Sequence, residues 1–201
     1  MGLLSGTASF TRFAVEGEVP ENFWDFVAQR VAEHSFQDID DTIDEYSIGW
    51  VSVADMFDSG FAYSSYAAGD YVVLSLRIDE RKVVPAVLKK FIAKEESRIR
   101  QDQGIRRLSR SVRLEIKERI RAELVRKSPP IPAVYELCWN LSSNTLLFFS
   151  NSRKAIALLE DLFKETFDLS LLMQIPWTTA LHQVDQETAE KLANLQPALL
   201  I

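Results

Sequence analysis

A long, basic and helix-forming stretch, residues 82–127, constrains the fold more than any other part of the chain. Pro85 suits the first turn of a helix, because the N–H that proline lacks is not needed there. Gly104 can adopt the positive φ of a turn. Ser109 can cap a second helix with its hydroxyl oxygen, and Pro129 ends the run. The pattern therefore predicts a helical hairpin, two helices joined by a short basic turn.

The charge of this part of the chain is opposite in sign to that of the rest. Residues 77–127 carry 17 Lys and Arg against 8 Asp and Glu, a net charge of +9. Residues 1–76 have a net charge of −11 and residues 128–201 a net charge of −4, so the overall value of −6 conceals a bipolar chain. Such asymmetry favours a polyanionic partner.

The side chains are also ordered along the two predicted helices, at about 100° per residue. We predict that two apolar stripes pack against each other: Val87, Leu88, Phe91 and Ile99 on the first helix, and Leu108, Val112, Ile116 and Ile120 on the second. Glu115, Glu118 and Glu123 are expected to pair locally with Arg119 and Lys127. The remaining outer surface is cationic. The candidate phosphate-binding residues are Lys90, Lys94, Arg98, Arg100, Arg106, Arg107, Arg110, Arg113, Lys117 and Arg121.

The rest of the chain alternates strand and helix patterns. Strands are predicted at residues 3–15, 46–54, 71–78, 133–141, 145–150 and 169–175, helices at residues 21–34, 153–167 and 186–195, and a strand or ordered loop at residues 61–67. This order predicts an α+β fold, an antiparallel or mixed sheet with helices on one face and an inserted, protruding basic helical hairpin. The predicted domains are a discontinuous core, residues 1–80 and 131–201, and the hairpin arm, residues 81–130.

Other site chemistry has less support in the sequence. Clustered carboxylates could hold metal ions for an exonuclease, and the candidates are Asp38, Asp40, Asp41, Asp44 and Glu45. They lack the glycine and terminal glutamate of an EF-hand calcium loop, so a solvated acidic loop is the preferred interpretation. Two His and one Cys offer no zinc spacing. We predict no catalytic residue, no metal and no cofactor.

Four tryptophans could stack on unpaired bases: Trp24, Trp50, Trp139 and Trp177. Three of them lie in predicted regular elements, so core packing is the preferred interpretation.

No segment approaches the roughly 18 apolar residues of a membrane span, and the first residues lack the pattern of a secretion signal. The single cysteine, Cys138, suits a reducing compartment. We expect a cytoplasmic protein with no membrane partner.

Six segments, taken in their order along the chain, carry a resemblance to a known family: SFTRF, SIGWV, GDYVVLSLRIDERKVVPAVLKK, LSRSVRLEIKERI, PPIPAVYELCWN and SNSRKAIALLEDLFKETFDLSL. Together they resemble the RdgC family of bacterial recombination-associated proteins, over residues 3–172. The ordered set carries the resemblance, and its strand-to-helix segment is the most specific part.

The resemblance implies DNA binding without sequence preference by a homodimer that clasps duplex DNA. It also implies association with the nucleoid and modulation of homologous recombination, with RecA-type activity restrained. Well-known members are longer than this chain, so complete ring closure is not implied. The family's exonuclease label is expected not to apply. Two alternatives stay open: an adaptor that docks its basic arm on an acidic protein and, with less support, a metal-dependent exonuclease.

Overall fold

The computed structural model describes Leu3 and residues 8–194, without the side chains of residues 63, 178, 181–183 and 193. The chain divides into two compact units. The first unit consists of the described parts of residues 1–35, 50–76 and 135–201. The second unit consists of residues 36–49 and 77–134. Each unit can therefore be described by its own core.

Strands and helices follow the predicted α+β order. The bounds are β1 Thr11–Glu16, α1 Phe23–Glu33, β2 Tyr46–Val51, a 3₁₀ helix Ala62–Ser64, β3 Ala67–Ala68, β4 Tyr71–Arg81, α2 Pro85–Gln103, α3 Arg110–Lys127, β5 Pro130–Asn140, β6 Thr145–Phe148, α4 Arg153–Phe167, β7 Ser170–Met173, α5 Pro176–Gln183 and α6 Gln186–Ala193. Within the described residues, the strands form a seven-stranded sheet in the order β2-β4-β5-β6-β1-β7, with β3 paired to β4. Antiparallel pairs join β1 to β6 and β7, β5 to β6, and β3 to β4.

Aromatic side chains fill the core of the first unit. The Trp139 ring of β5 lies 5.4 Å from the Phe23 ring of α1 and 5.4 Å from the Phe163 ring of α4, measured between centroids. Because one side chain of the sheet touches both helices, α1 and α4 cover the same face. Trp50 Nε1 donates a buried hydrogen bond of 2.8 Å to Thr166 Oγ1, which satisfies a donor that would be costly to leave unpaired.

The α+β fold predicted from sequence is confirmed, with several differences in detail. β1 begins at Thr11, and most of residues 3–7 of the predicted strand lie outside the described residues. Residues 61–67 contain a 3₁₀ turn and the start of a short strand. The helix α5 was not predicted from the sequence. α6 begins as predicted, and Asp185 Oδ1 caps it by accepting from the Thr188 N–H at 2.8 Å. Residue 195, its predicted end, lies outside the described residues.

A buried ion pair lies inside the second unit, on β4. Arg77 is 4% exposed and Asp79 is 1% exposed. Arg77 Nε donates to Asp79 Oδ1 at 2.9 Å, and Arg77 Nη2 donates to Asp79 Oδ2 at 2.7 Å. The guanidinium also lies 4.2 Å from the Phe36 ring centroid, in a cation–π arrangement. The hydrogen bonds to Asp79 raise the Arg77 pKa, so this cation is a structural component of the core.

Arg81, two residues after Asp79 on β4, is also buried. Backbone carbonyls surround its guanidinium. It donates hydrogen bonds to the carbonyl oxygens of Ile39, Asp40, Thr42, Asp44 and Ser128. The acidic segment of residues 36–45 therefore wraps around one cation, which holds it beside the end of α3.

Arg77 and Arg81 belong to the basic excess of residues 77–127, but both are buried, so that excess overstates the positive charge at the surface. Both cations are satisfied inside the second unit and contribute little to its surface. The helix pair, which we define as α2, α3 and their connection at residues 85–127, carries 14 basic and 6 acidic residues, a net charge of +8. The excess of cations therefore persists without the two buried arginines.

The helix pair has its own small apolar seam. Leu108, Ile116 and Ile120 are buried together, and Leu88, Ile92, Ile99, Val112 and Leu124 pack against them. The predicted stripe of the second helix is confirmed, as are Leu88 and Ile99 of the first. Val87 and Phe91 are each 39% exposed, so their assignment to the seam was wrong. The connection between the helices is short, which makes them antiparallel neighbours. The predicted projection of the pair as an arm stays a prediction.

Candidate functional site

All ten candidate phosphate-binding residues lie exposed on the helix pair. α2 carries Lys90, Lys94, Arg98 and Arg100; the connection carries Arg106 and Arg107; α3 carries Arg110, Arg113, Lys117 and Arg121. Arg98 is committed to ion pairs with Glu95 at 2.8 Å and Asp102 at 3.5 Å. Within the described part of the chain, the other nine form no salt bridge, so their charge is available to a ligand.

The turn after α2 reverses the chain and sets the position of the next arginines. The Ile105 N–H donates to the Arg100 carbonyl at 3.1 Å, and the Gly104 N–H donates to the Gln101 carbonyl at 3.3 Å. These two bonds, with Gly104 at φ 65°, form a Schellman motif. Ser109 Oγ then starts α3 by accepting from the Val112 N–H at 3.3 Å. The two caps fix the residues between them, which include Arg106 and Arg107.

Four arginines from both helices and their connection converge on one concavity. We call it the arginine pocket, and its lining residues are Glu96, Arg100, Arg106, Arg107, Leu108 and Arg113. Its volume is about 330 Å³. Four guanidinium groups against one carboxylate give the lining a formal charge of +3. The pocket therefore concentrates positive charge within a larger basic surface, an arrangement that would attract an anion.

Two lining residues of the pocket, Leu108 and Arg100, are held by contacts within the helix pair. Leu108 is 8% exposed and belongs to the apolar seam with Ile116 and Ile120. Arg100 Nε donates to the Glu96 backbone carbonyl at 3.1 Å, one turn earlier on α2. This bond leaves the two terminal nitrogens of Arg100 for a ligand. The pocket is thus supported by regular secondary structure on both sides.

Replacing Gly104 with alanine should destabilise the turn that shapes the pocket. An added Cβ would meet nothing within 4 Å, so the cost comes from the left-handed backbone at φ 65°. For a non-glycine residue this conformation costs about 1–2 kcal/mol. We expect Gly104→Ala to lower the free energy of unfolding by about that amount in urea denaturation.

Gly60→Ala is the matched control for this substitution. The φ of Gly60 lies outside the left-handed range, and its added Cβ would make an ordinary contact of 3.8 Å with Asp58 Oδ1. Its effect should stay within about 0.5 kcal/mol. Equal effects of the two substitutions would contradict the role given to the Gly104 turn.

Glu95 forms ion pairs with Arg98 and Arg119, which makes these two cations less available to a ligand. Its carboxylate accepts from Arg98 on its own helix and from Arg119 Nη2 across the seam, the latter at 2.6 Å. These contacts, first of all the hydrogen bonds from Arg98, lower the Glu95 pKa. The predicted pairing of Glu123 with Lys127 is confirmed at 2.6 Å. The salt bridge of Arg119 is with Glu95. The hydrogen bond from Lys127, and to a smaller extent the charge of Arg119, lowers the Glu123 pKa.

A second concavity on the helix pair has mixed charge. Lys94 and Arg98 line it together with Glu95 and Glu123, and Phe91 and Ile120 add apolar surface. Opposite charges near each other weaken the attraction for an anion. Of the ten candidates, the structure therefore gathers Arg100, Arg106, Arg107 and Arg113 into one site. Lys90, Arg110, Lys117 and Arg121 are exposed along the helices.

The acidic segment suggested as a metal site has a structural role around Arg81. Among the residues whose placement is described, no three His, Cys, Asp or Glu side chains form a group that could hold a metal ion. Asp38 Oδ1 accepts from the Asp40 N–H at 2.7 Å, a local turn contact.

Burial raises the pKa of the Cys138 thiol, which lowers its reactivity.

The tryptophans divide between core and surface. Trp50 and Trp139 are fully buried, which confirms the core assignment for these two. Trp24 is 39% exposed although it lies on α1, so its assignment to the core was wrong. Trp177 is 46% exposed.

The described helices include none with the length and apolar character needed to cross a bilayer.

Comparison with known proteins assigns the chain to a family. A search among curated proteins gave no match. A family model described as "Putative exonuclease, RdgC" matches residues 13–189. The match covers most of the 201 residues, including the whole second unit with its helix pair and most of the first unit. The resemblance found in the sequence is thereby confirmed: this chain belongs to the RdgC family.

Proposed function

We propose that this protein binds DNA without sequence preference, through phosphate contacts made by the helix pair. The observation that carries the proposal is the set of nine exposed basic residues that, among the described residues, have no ion-pair partner. DNA presents a dense row of phosphates, and each Lys or Arg that neutralises one releases condensed counterions. Arginine adds bidentate hydrogen bonds to phosphate oxygens.

The side chains of α3 suit the backbone of DNA better than its bases. Reading of adenine usually requires Asn or Gln at the contact surface. The second helix, Arg110–Lys127, has neither residue type. Arginine can contact guanine, but phosphate contacts are its sequence-independent use. Affinity should therefore vary little between duplexes of unrelated sequence.

The acidic remainder of the chain would orient the protein on DNA. Residues 1–76 carry a net charge of −11 and residues 128–201 a net charge of −4. Phosphate repels such surfaces, and this repulsion complements the attraction to the helix pair. The proposed assembly is a homodimer whose two helix pairs face one duplex, in the cytoplasm and associated with the nucleoid. In this role the protein would modulate homologous recombination by covering DNA and restraining RecA-type activity.

A gel-shift titration with a parallel measurement of solution mass tests this proposal. The full chain is mixed at physiological salt with two labelled duplexes of unrelated sequence and with one single strand. Retention of both duplexes with similar affinity by a species of twice the chain mass supports the proposal. A stable dimer that retains no DNA favours the adaptor alternative. Incubation with magnesium should leave the labelled DNA at full length, and shortening would favour the exonuclease alternative.

A further inference from the structure

The arginine pocket differs from the rest of the basic surface because it is a concavity lined by residues from both helices and their connection. The arginines that line it come from α2, from the connection and from α3. Its volume of about 330 Å³ lies at the lower end of the range for small-ligand sites. An extended phosphate backbone needs a row of cations, whereas four cations around one concavity suit a single compact anion of high charge.

We propose that the arginine pocket binds a terminal phosphate, the monoester dianion found at a phosphorylated end of a DNA strand. A phosphate monoester carries about −1.5 to −2 charges near pH 7 and three strong acceptor oxygens. An internal phosphodiester carries one charge and has substituents on two sides. The monoester therefore gains more from donors that converge from several directions. This inference rests on the proposed DNA binding and adds a preference for phosphorylated ends.

The donors needed for such a ligand are free of competing partners. Among the described residues, Arg106, Arg107 and Arg113 form no side-chain hydrogen bond and no ion pair. Arg100 uses Nε for the Glu96 carbonyl and keeps its terminal nitrogens. Among the lining residues that the structure describes, Glu96 is the only one with a carboxylate, which leaves an excess of three positive charges. The bound dianion would neutralise most of this excess.

The neighbouring helix terminus adds to the same preference. α3 begins at Arg110, between the two lining residues Leu108 and Arg113. The N-terminus of an α-helix carries a partial positive charge, which stabilises nearby anions. The terminus is secondary here, since the four guanidinium groups already define the site.

Fluorescence anisotropy with two duplexes that differ by one group tests the inference. Both have the same sequence and a distal label, and one carries a 5′-phosphate where the other has a 5′-hydroxyl. The additional charge of the monoester strengthens its charge-assisted hydrogen bonds with the arginines. We therefore expect the phosphorylated duplex to bind about tenfold more tightly. Isothermal titration with pyrophosphate measures binding of a free anion by the same pocket.

A pair of double variants separates the pocket from the general DNA surface. Arg106→Gln with Arg107→Gln should abolish the preference for the phosphorylated end and the binding of pyrophosphate. Lys117→Gln with Arg121→Gln removes the same charge from exposed positions on α3. This control should weaken both duplexes equally and keep the preference.

Each outcome decides between the pocket and the proposed function. Equal affinity for both duplexes, together with no binding of pyrophosphate, would overturn the pocket proposal while leaving general DNA binding intact. A preference that survives Arg106→Gln with Arg107→Gln would overturn it as well. If neither duplex binds but pyrophosphate does, and the pocket variant loses that binding, the ligand is a free phosphate and the DNA-binding proposal fails.

Discussion

Asp79→Asn is expected to lower the free energy of unfolding by about 3–5 kcal/mol, the usual cost of breaking a buried ion pair from one side. The substitution removes the negative charge that neutralises Arg77, and both side chains are almost fully buried. The remaining Asn can accept one hydrogen bond, but it cannot compensate the buried guanidinium. Urea denaturation followed by circular dichroism at neutral pH measures the loss.

Asp38→Asn provides the matched control for that substitution. Asp38 Oδ2 lies 3.9 Å from Arg77 Nη2, but its side chain is 54% exposed. Solvent-exposed pairs contribute about 0–1 kcal/mol, so we expect a change of that size. Joint replacement Arg77→Met and Asp79→Leu should cost less than Asp79→Asn alone, because no unpaired charge remains. A loss below about 1 kcal/mol for Asp79→Asn would contradict the role of this pair.

The double charge reversal Arg110→Glu with Arg113→Glu should reduce DNA affinity by roughly a hundredfold or more at physiological salt. Each change removes a phosphate contact and adds a repelling carboxylate near the same phosphates. Hydrogen bonds to charged groups contribute about 1.5–3 kcal/mol each, so two lost contacts account for this magnitude. Binding to two unrelated duplexes, measured by anisotropy, should weaken to the same extent on both.

The control for the double reversal changes the same number of charges outside the helix pair. Arg153 and Lys164 are exposed on α4, in the first unit. Arg153→Glu with Lys164→Glu alters the net charge equally and should affect affinity less than tenfold. Thermal unfolding of both variants checks that the fold is retained. Equal losses for the two variants would show that overall charge, and not the helix pair, governs binding.

Local signals in the sequence predicted the helices that matter most. Pro85 begins α2 and the Ser109 hydroxyl caps α3, as expected, and the Ser152 hydroxyl caps α4 in the same way. These residues act through their own backbone neighbours, so their effect can be inferred without the tertiary structure. Gly104 likewise takes the positive φ predicted for the turn.

Long-range contacts explain what the sequence did not predict. Arg77, Asp79 and Arg81 alternate along β4 and so share one face. The period-2 pattern was visible, but only the covering segment of residues 36–45 makes that face a buried one. On α2 the seam follows Leu88, Ile92 and Ile99. The side of α2 that faces the seam depends on how α3 packs against it, and helix propensity does not determine that packing.

The arginine pocket was also beyond prediction from spacing alone. The sequence placed its arginines on two helices and a turn, and ordered them by helical angle. Their convergence depends on the Schellman turn at Gly104 and on Leu108 packing into the seam. Both features bring together residues of different helices, and the periodicity of a single helix says nothing about such contacts. The site is thus a product of the hairpin geometry.

The salt dependence of DNA binding tests the central claim most directly. If two helix pairs neutralise about eight phosphates, a plot of log K against log salt concentration should have a slope of about −7 on each of two unrelated duplexes. Arg110→Gln with Arg113→Gln should make that slope less steep by about one per lost contact at each site. A slope near zero, or one that differs strongly between the two duplexes, would contradict binding through the phosphates.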